Sequence, residues 1–325
     1  MHFARLMVRQ PLPERIRLLV RKGILMSLPT PEVQFLVFVD DVIRKAFESA
    51  KLGPDALHRL MDSKDEFEGA IGTLIRSFAR SDKFIDEETE SIHTYTRNYY
   101  GPRPIEDQIA EIAHIFALDP MHAQSYAQNL PKLPEGAEGW FAVPSVDAIV
   151  AKSDSECFDQ DQKYCIALQT VISRLSEHCR FRDLLLDEKT PDRLRVTART
   201  QRALCTIVEK QPGDILLIPA QLGMRHRGKS VRRACEVFVR GEFGLTSLMV
   251  GSILLTHPGR ISLVDQLNMH CAGDEYYSPG FGVSFSCATI FYFESNFIRF
   301  GTNRNGNFAS YHAVTSGFVG GELHE

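Results

Sequence analysis

The sequence predicts an α+β fold: an N-terminal helical region, then a domain of helices packed on a mixed or antiparallel sheet. Three observations carry this. Apolar residues recur at helical spacing through residues 32–130. The run Ile215-Leu216-Leu217-Ile218 has the continuity of a buried strand. Beyond residue 281 apolar and polar residues alternate, and Asn305-Gly306 supplies a hairpin turn signal.

Taken in order, residues 1–28 carry Arg5, Arg9, Arg15, Arg17, Arg21 and Lys22 against Glu14. These charges interrupt any secretory signal, and the segment reads as an amphipathic surface helix or an Arg-rich transit peptide. Val33, Leu36, Val37, Val39, Ile43 and Phe47 form the apolar face of a first helix, which Gly53-Pro54 ends. Phe67, Ile71, Leu74, Ile75 and Phe78 form a second stripe; Ile105, Ile109, Ile112, Ile115 and Phe116 form a third, opened by Pro104. Residues 131–139 combine Pro, Gly and charge without apolar period, so they read as a linker between a helical domain, 1–130, and an α+β domain, 140–325. The only Trp, Trp140, opens the second domain.

Tyr164, Cys165, Leu168, Val171, Ile172, Leu175 and Cys179 keep helical spacing. Thr190-Pro191-Asp192 offers a capping hydroxyl and a Pro at the first helical position, for a helix bearing Arg193, Arg195, Arg199 and Arg202. Leu245 to Leu255 predicts another helix, stopped by His257-Pro258-Gly259. Residues 281–319 predict three or four antiparallel strands, in which Val283, Phe285 and Cys287 alternate with Ser284 and Ser286.

Residues 76–92, RSFARSDKFIDEETESI, predict a helix, a short acidic loop and another helix, with Ile85 placed to plug a core. This stretch is similar to the TerB-like helical bundles, and the resemblance implies a link between the acidic loop and metal ions. The calcium loop of an EF-hand does not fit, since no Gly or closing Glu stands at the right offset from Asp82. The other reading is a solvated acidic helix start, favourable to the helix dipole.

Hydrophobic residues at 44% and charged residues at 24% are the balance of a soluble globular protein, and the net charge is -4. Binding of nucleic acid or phosphate therefore needs a local basic patch. The seven cysteines, Cys157, Cys165, Cys179, Cys205, Cys235, Cys271 and Cys287, are odd in number and include no C-x-x-C pair. That favours reduced thiols in a cytoplasmic protein over disulfides or structural zinc. The longest nearly apolar run, Gly244 to Leu255, is too short to cross a bilayer, so no transmembrane segment is expected.

The basic patch lies in Gly213 to Gly241. Between Met224 and Arg240 stand six Lys or Arg and one acid. An amphipathic helix predicted over Lys229 to Arg240 puts Lys229, Arg232, Arg233, Glu236 and Arg240 on one face, with Val231, Ala234, Cys235 and Phe238 opposite. Arg225 and Arg227 add charge ahead of it, and Gly228, Lys229 and Ser230 open it. A helix N-terminus with this charge suits a phosphate. The competing reading pairs the basic face with the chain's own acids, such as those at Asp154 to Asp161.

Gly223, Gly228, Lys229 and Ser230 also match G-x-x-x-x-G-K-[ST], with Asp265 as a candidate magnesium-holding acid. The bulky interior Met224-Arg225-His226-Arg227 and the absence of further parallel-strand patterns weigh against a nucleotide hydrolase. A third constellation is a thiol enzyme at Cys271, with His226, His270 or His312 as base. In the same loop His270, Asp274 and Glu275 could hold a divalent ion. The leading expectation is a non-enzymatic protein that uses residues 224–240, with the Arg193 to Arg202 helix, to hold RNA, DNA or another phosphate-bearing ligand. Phe- and Tyr-rich tail strands offer either platforms for single-stranded bases or, the commoner role of such aromatics, core packing. No cofactor is indicated.

Overall fold

A computed structural model describes residues 31–63, 66–67, 69–71, 82–153, 159–263, 266–281 and 284–320. The chain divides into two compact units, Met1–Phe78 with His324–Glu325, and Ala79–Leu323. The basic arm, the end of the second stripe at Leu74, Ile75 and Phe78, and Val283 lie outside the described residues.

In the first unit, helix α1 spans Pro31–Ala50 and α2 spans Pro54–Asp62. Gly53 is the N-cap of α2 and Pro54 its first residue, where a missing N–H costs nothing. Within α1, Val42, Ile43 and Phe47 are exposed.

Residues 82–87 form a turn and one 3-10 turn, and residues 88–98 are without helix. The helix expected after the acidic loop is therefore absent, and Ile85, 51% exposed, plugs no core. Then follow α3 (Ile105–Phe116), α4 (Met121–Ala127), β1 (Gly139–Pro144), α5 (Val146–Ala151), α6 (Gln160–His178), β2 (Phe181–Asp183) and β3 (Leu194–Val196). After these come α7 (Ala198–Lys210), β4 (Ile215–Gln221), α8 (Val231–Glu236), β5 (Glu242–Gly244) and α9 (Ser247–Thr256). Strands β6 (Met269–Tyr276), β7 (Cys287–Glu294), β8 (Phe297–Arg304) and β9 (Val314–Phe318) close the chain.

Among the described residues the strands form one mixed sheet ordered β1-β4-β9-β6-β7-β8-β2, with β3 beside β6 and β5 beside β9. Pairing is antiparallel except for β2 with β8 and β6 with β9. The α+β class holds. The basic helix expected from Thr190 starts later: Leu194 to Val196 pair with Tyr276 to Asp274, and Thr197 Oγ1 caps α7 by accepting from Thr200 N at 3.3 Å.

Ile109 and Ile112 of α3 enter the same core as Phe141, Leu168, Leu217, Ile253, Phe291 and Phe300. Residues 131–139 thus lie inside the second unit. Glu138 N donates to Ala220 O at 2.8 Å, and Gly139 already pairs with Ala220 as the start of β1. Side chains alternate along β6, so Cys271 faces this main core while Ala272 faces a smaller one with Val231, Ala234, Phe238, Ala288 and Val314. No helix among the described residues is long and apolar enough to cross a membrane.

Candidate functional site

The small core holds the basic segment in place. Strand β4 is buried throughout, and the loop after it carries positive φ at Gly223 (130°) and Gly228 (73°). Ser230 Oγ caps α8, accepting from Arg233 N at 3.0 Å. The apolar half of the pattern is obeyed, with Val231 and Ala234 buried; on the expected basic face Arg232 is exposed but Arg233 is buried. The helix is shorter than expected, ending at Glu236 rather than Arg240. Arg199 of α7 explains the stop: its guanidinium donates to the carbonyls of Val239 (3.0 Å), Cys235 (3.4 Å) and Glu242 (2.7 Å). The Glu242 carboxylate takes Val239 N at 3.1 Å.

Among the described residues, the basic side chains are held by acids of the same chain that the acidic loop supplies. Residues 154–158 lie outside the described residues, and Asp159 caps α6. Glu87 accepts from Ser230 Oγ at 2.7 Å and from Arg232 through Nε at 3.1 Å and through Nη2. Glu88 accepts from Arg233 Nε at 3.0 Å and pairs with Lys229 at 3.1 Å. The hydrogen bond from Arg233 is the chief reason why the Glu88 carboxyl is held below its usual range, with Lys229 adding to it against partial burial. Glu236 bonds Arg233 Nη1 at 3.0 Å and takes the backbone N–H groups of Lys83 and Phe84 at 2.8 and 3.1 Å. Backbone bonds fasten the same strap, from Thr89 N to Gly228 O and from Ser230 N to Glu87 O, both 2.9 Å.

His226 turns inward, and Arg225, itself exposed, reaches the same carboxylate. Glu242, fully buried, accepts from Arg225 Nε at 3.3 Å and bonds His226 Nε2 and Ser316 Oγ, each at 2.6 Å. Burial pushes the Glu242 carboxyl up, but these hydrogen bonds outweigh it and leave the pKa lowered. Arg227 points Nη1 at the Met224 sulfur at 3.9 Å, and Arg240 is exposed. Neither is ion-paired among the described residues. The second basic stretch is likewise engaged: Arg193 pairs with Glu188 and Arg195 with Glu275, each at 2.8 Å.

The phosphate-cradle geometry is not formed. Strand β4 lies antiparallel to both neighbours, β1 and β9. The loop N–H groups that would face a nucleotide are taken: Gly223 by Gln221 Oε1 (2.7 Å), Met224 by Tyr95 Oη (3.0 Å), Gly228 by His312 O (2.8 Å) and Ser230 by Glu87 O. Lys229 and Ser230 meet carboxylates, and Asp265 lies outside the described residues.

Cys271 is buried in the main core, where desolvation and nearby Asp274 push its thiol far up. His270, His226 and His312 belong to the other side of the sheet, so no base reaches it. Asp274 is held by Tyr164 Oη at 2.7 Å, Ser247 N at 2.8 Å and Thr289 Oγ1 at 2.8 Å; Glu275 pairs with Arg195. His270, Asp274 and Glu275 therefore do not converge, and among the described residues no group of three or more His, Cys, Asp or Glu is arranged to hold a metal. The carboxylates of the acidic loop, given to metal ions by the TerB-like resemblance, here meet Ser230, Lys229, Arg232 and Arg233.

Two features were missed from sequence. One is Glu87 and Glu88 as partners of the basic face. The other is the β8–β9 loop, residues 305–313, which lies against that face: Arg232 N donates to Asn305 O at 3.1 Å, and Arg227 bridges Ala313. Comparison of the chain with protein-family models, with curated proteins and with solved structures finds no match.

Proposed function

We propose that the chain is a non-enzymatic binding protein whose basic loop and helix, residues 224–240, hold a phosphate-bearing ligand in exchange for its own acidic strap, residues 82–90. One observation carries this reading. Ser230 Oγ and Arg232 converge on one carboxylate, while Lys229 and Arg233 converge on the next. Such forked, charge-assisted donors suit phosphate oxygens as well as carboxylates. Arg227 and Arg240, without ion pairs among the described residues, add charge for a polyanion. The six described cysteines are free, which goes with a cytoplasmic setting.

A strap that covers the site lowers apparent affinity by the fraction of time it stays docked. Glu87→Gln with Glu88→Gln should therefore tighten binding of inorganic polyphosphate or single-stranded DNA at low salt. In the native chain, ligand should speed amide exchange over residues 82–92, and affinity should fall steeply with salt. The reading is overturned if neither chain binds a polyanion, or if ligand leaves exchange of the strap unchanged.

A further inference from the structure

The β8–β9 loop borders an open cleft of about 410 Å³, lined by Asn303, Gly306, Asn307, Phe308, Tyr311 and His312. Its volume is in the range of small-ligand sites. Two lining aromatics face water: Phe308 is 39% and Tyr311 44% exposed. On the neighbouring strands Phe291 and Phe300 are fully buried, and Tyr292, Phe293 and Phe297 are half-buried. Exposing an aromatic pair at the tip of a loop gives up burial that this core otherwise uses.

Tyr311 is held in position. It makes edge contacts with His312, ring centres 5.0 Å apart, and with His93 at 6.4 Å. His312 is buried and packs at 4.6 Å on His270, whose two ring nitrogens are buried without a hydrogen-bond partner. His312, which lines the cleft, is thus backed by a second buried ring. Its polar edge is supplied by two amides, with Asn307 Nδ2 donating to Asn303 Oδ1 at 2.7 Å. That leaves Asn307 with an amide oxygen and a second N–H, and Asn303 with its own NH2, as groups that can read a base edge.

The cleft adjoins the proposed anion site. The Arg232 guanidinium lies directly over Gly306, where any Cβ would collide with it. Arg232 thus has one side on Glu87 and the other at the cleft wall. A base seated against Phe308 and Tyr311 would place its own phosphate toward Arg232.

We infer that the β8–β9 cleft takes a nucleobase, stacked on Phe308 or Tyr311 and edged by Asn303 and Asn307, while Arg232 takes the adjoining phosphate. This rests on the phosphate reading above and narrows its ligand to nucleotides, either free or within a single strand. The alternation of aromatic faces with cations is the physical basis of sequence-tolerant single-strand binding.

The test compares a single-stranded oligothymidylate with an abasic oligonucleotide of equal length, which keeps the phosphates and lacks the bases. Both are titrated into the native chain and the Glu87→Gln/Glu88→Gln variant, with inorganic polyphosphate as reference. The oligothymidylate should bind roughly tenfold tighter than the abasic strand. Tyr311→Ala with Phe308→Ala should erase that gap and leave polyphosphate binding intact, while Tyr311→Phe should preserve it. Thermal melting checks that the variants fold; if the double alanine variant does not, Asn307→Ala should narrow the gap instead. Competition by thymidine monophosphate would assign the cleft to free nucleotides, and its absence to strands. Equal affinity for abasic and base-bearing strands overturns this inference alone. Binding of none of the three overturns the phosphate reading with it.

Discussion

Arg233 Nε lies 3.0 Å from Glu88 Oε2, joining helix α8 to a strap that precedes it by 145 residues in sequence. The same guanidinium reaches Glu236, so one cation serves two carboxylates. Its side chain is 10% exposed, against 47% for Arg232. Removing this shielded cation leaves Glu236 without a counter-charge and Glu88 with Lys229 alone, which costs more than loss of an exposed pair. Arg233→Ala should cost about 2 kcal/mol of unfolding free energy, and Arg232→Ala less than about 1 kcal/mol. Chemical denaturation of the two variants checks this, and equal losses would show that shielding of Arg233 is unimportant.

The thiols give a second expectation. Cys205 is exposed, whereas Cys165, Cys271 and Cys287 are buried. Burial pushes the Cys165 thiol up to about 12 and that of Cys271 well above its ordinary value, so neither accessibility nor thiolate content favours reaction. A thiol reagent followed by peptide mapping should modify Cys205 first and Cys271 only on unfolding. Labelling of Cys271 as fast as Cys205 in the native chain would contradict its place in the core.

Much of this was legible where the signal is local. The buried face of α8 follows from the spacing of Val231 and Ala234, and β7 and β8 are two of the strands expected within 281–319, although their turn is Ser295-Asn296 and not Asn305-Gly306. What was not legible depends on distant partners. Charges carry no period that says which acid meets which base, so Glu87 and Glu88 could not be matched to residues 229–233. Strands β3 and β5 have three residues each, too few to show alternation. Strand β6 holds His270, Gly273, Asp274 and Glu275, a composition that reads as a loop until Ser247, Tyr164 and Thr289 supply partners for Asp274.

Gly228 gives a test of the strap's fit. Its φ of 73° is unfavourable for other residues, and a Cβ there would overlap the Thr89 carbonyl oxygen. Gly228→Ala must both strain the loop and lift the strap, losing the bond from Thr89 N to Gly228 O. A loss of about 2 kcal/mol or more is expected, with new protease cleavage within residues 82–92. Unchanged stability and an unchanged digestion pattern would mean that the strap does not seat on this loop.

The last expectation concerns acid. His257 is buried, bonds Thr256 Oγ1 through Nδ1 at 2.8 Å and accepts from Arg103 N through Nε2 at 3.0 Å. That acceptor role requires a neutral nitrogen. Burial is the main reason its pKa falls from 6.5 to about 4, with Arg103 contributing. At neutral pH the ring is uncharged in both folded and unfolded chains, so the shift has no effect there. As pH drops below 6.5 the unfolded chain takes up a proton that the folded chain refuses, and stability falls until about pH 4. The slope is about 1.4 kcal/mol per pH unit for one such group. Burial lowers the pKa of His270 and His312 as well, which steepens the fall. Denaturation at a series of pH values should therefore show stability declining from near pH 6.5 downward, and His257→Gln, which keeps a neutral acceptor, should flatten the curve by about one proton. A wild-type curve that stays level from pH 6.5 to 4 would show that these rings are not held neutral by burial.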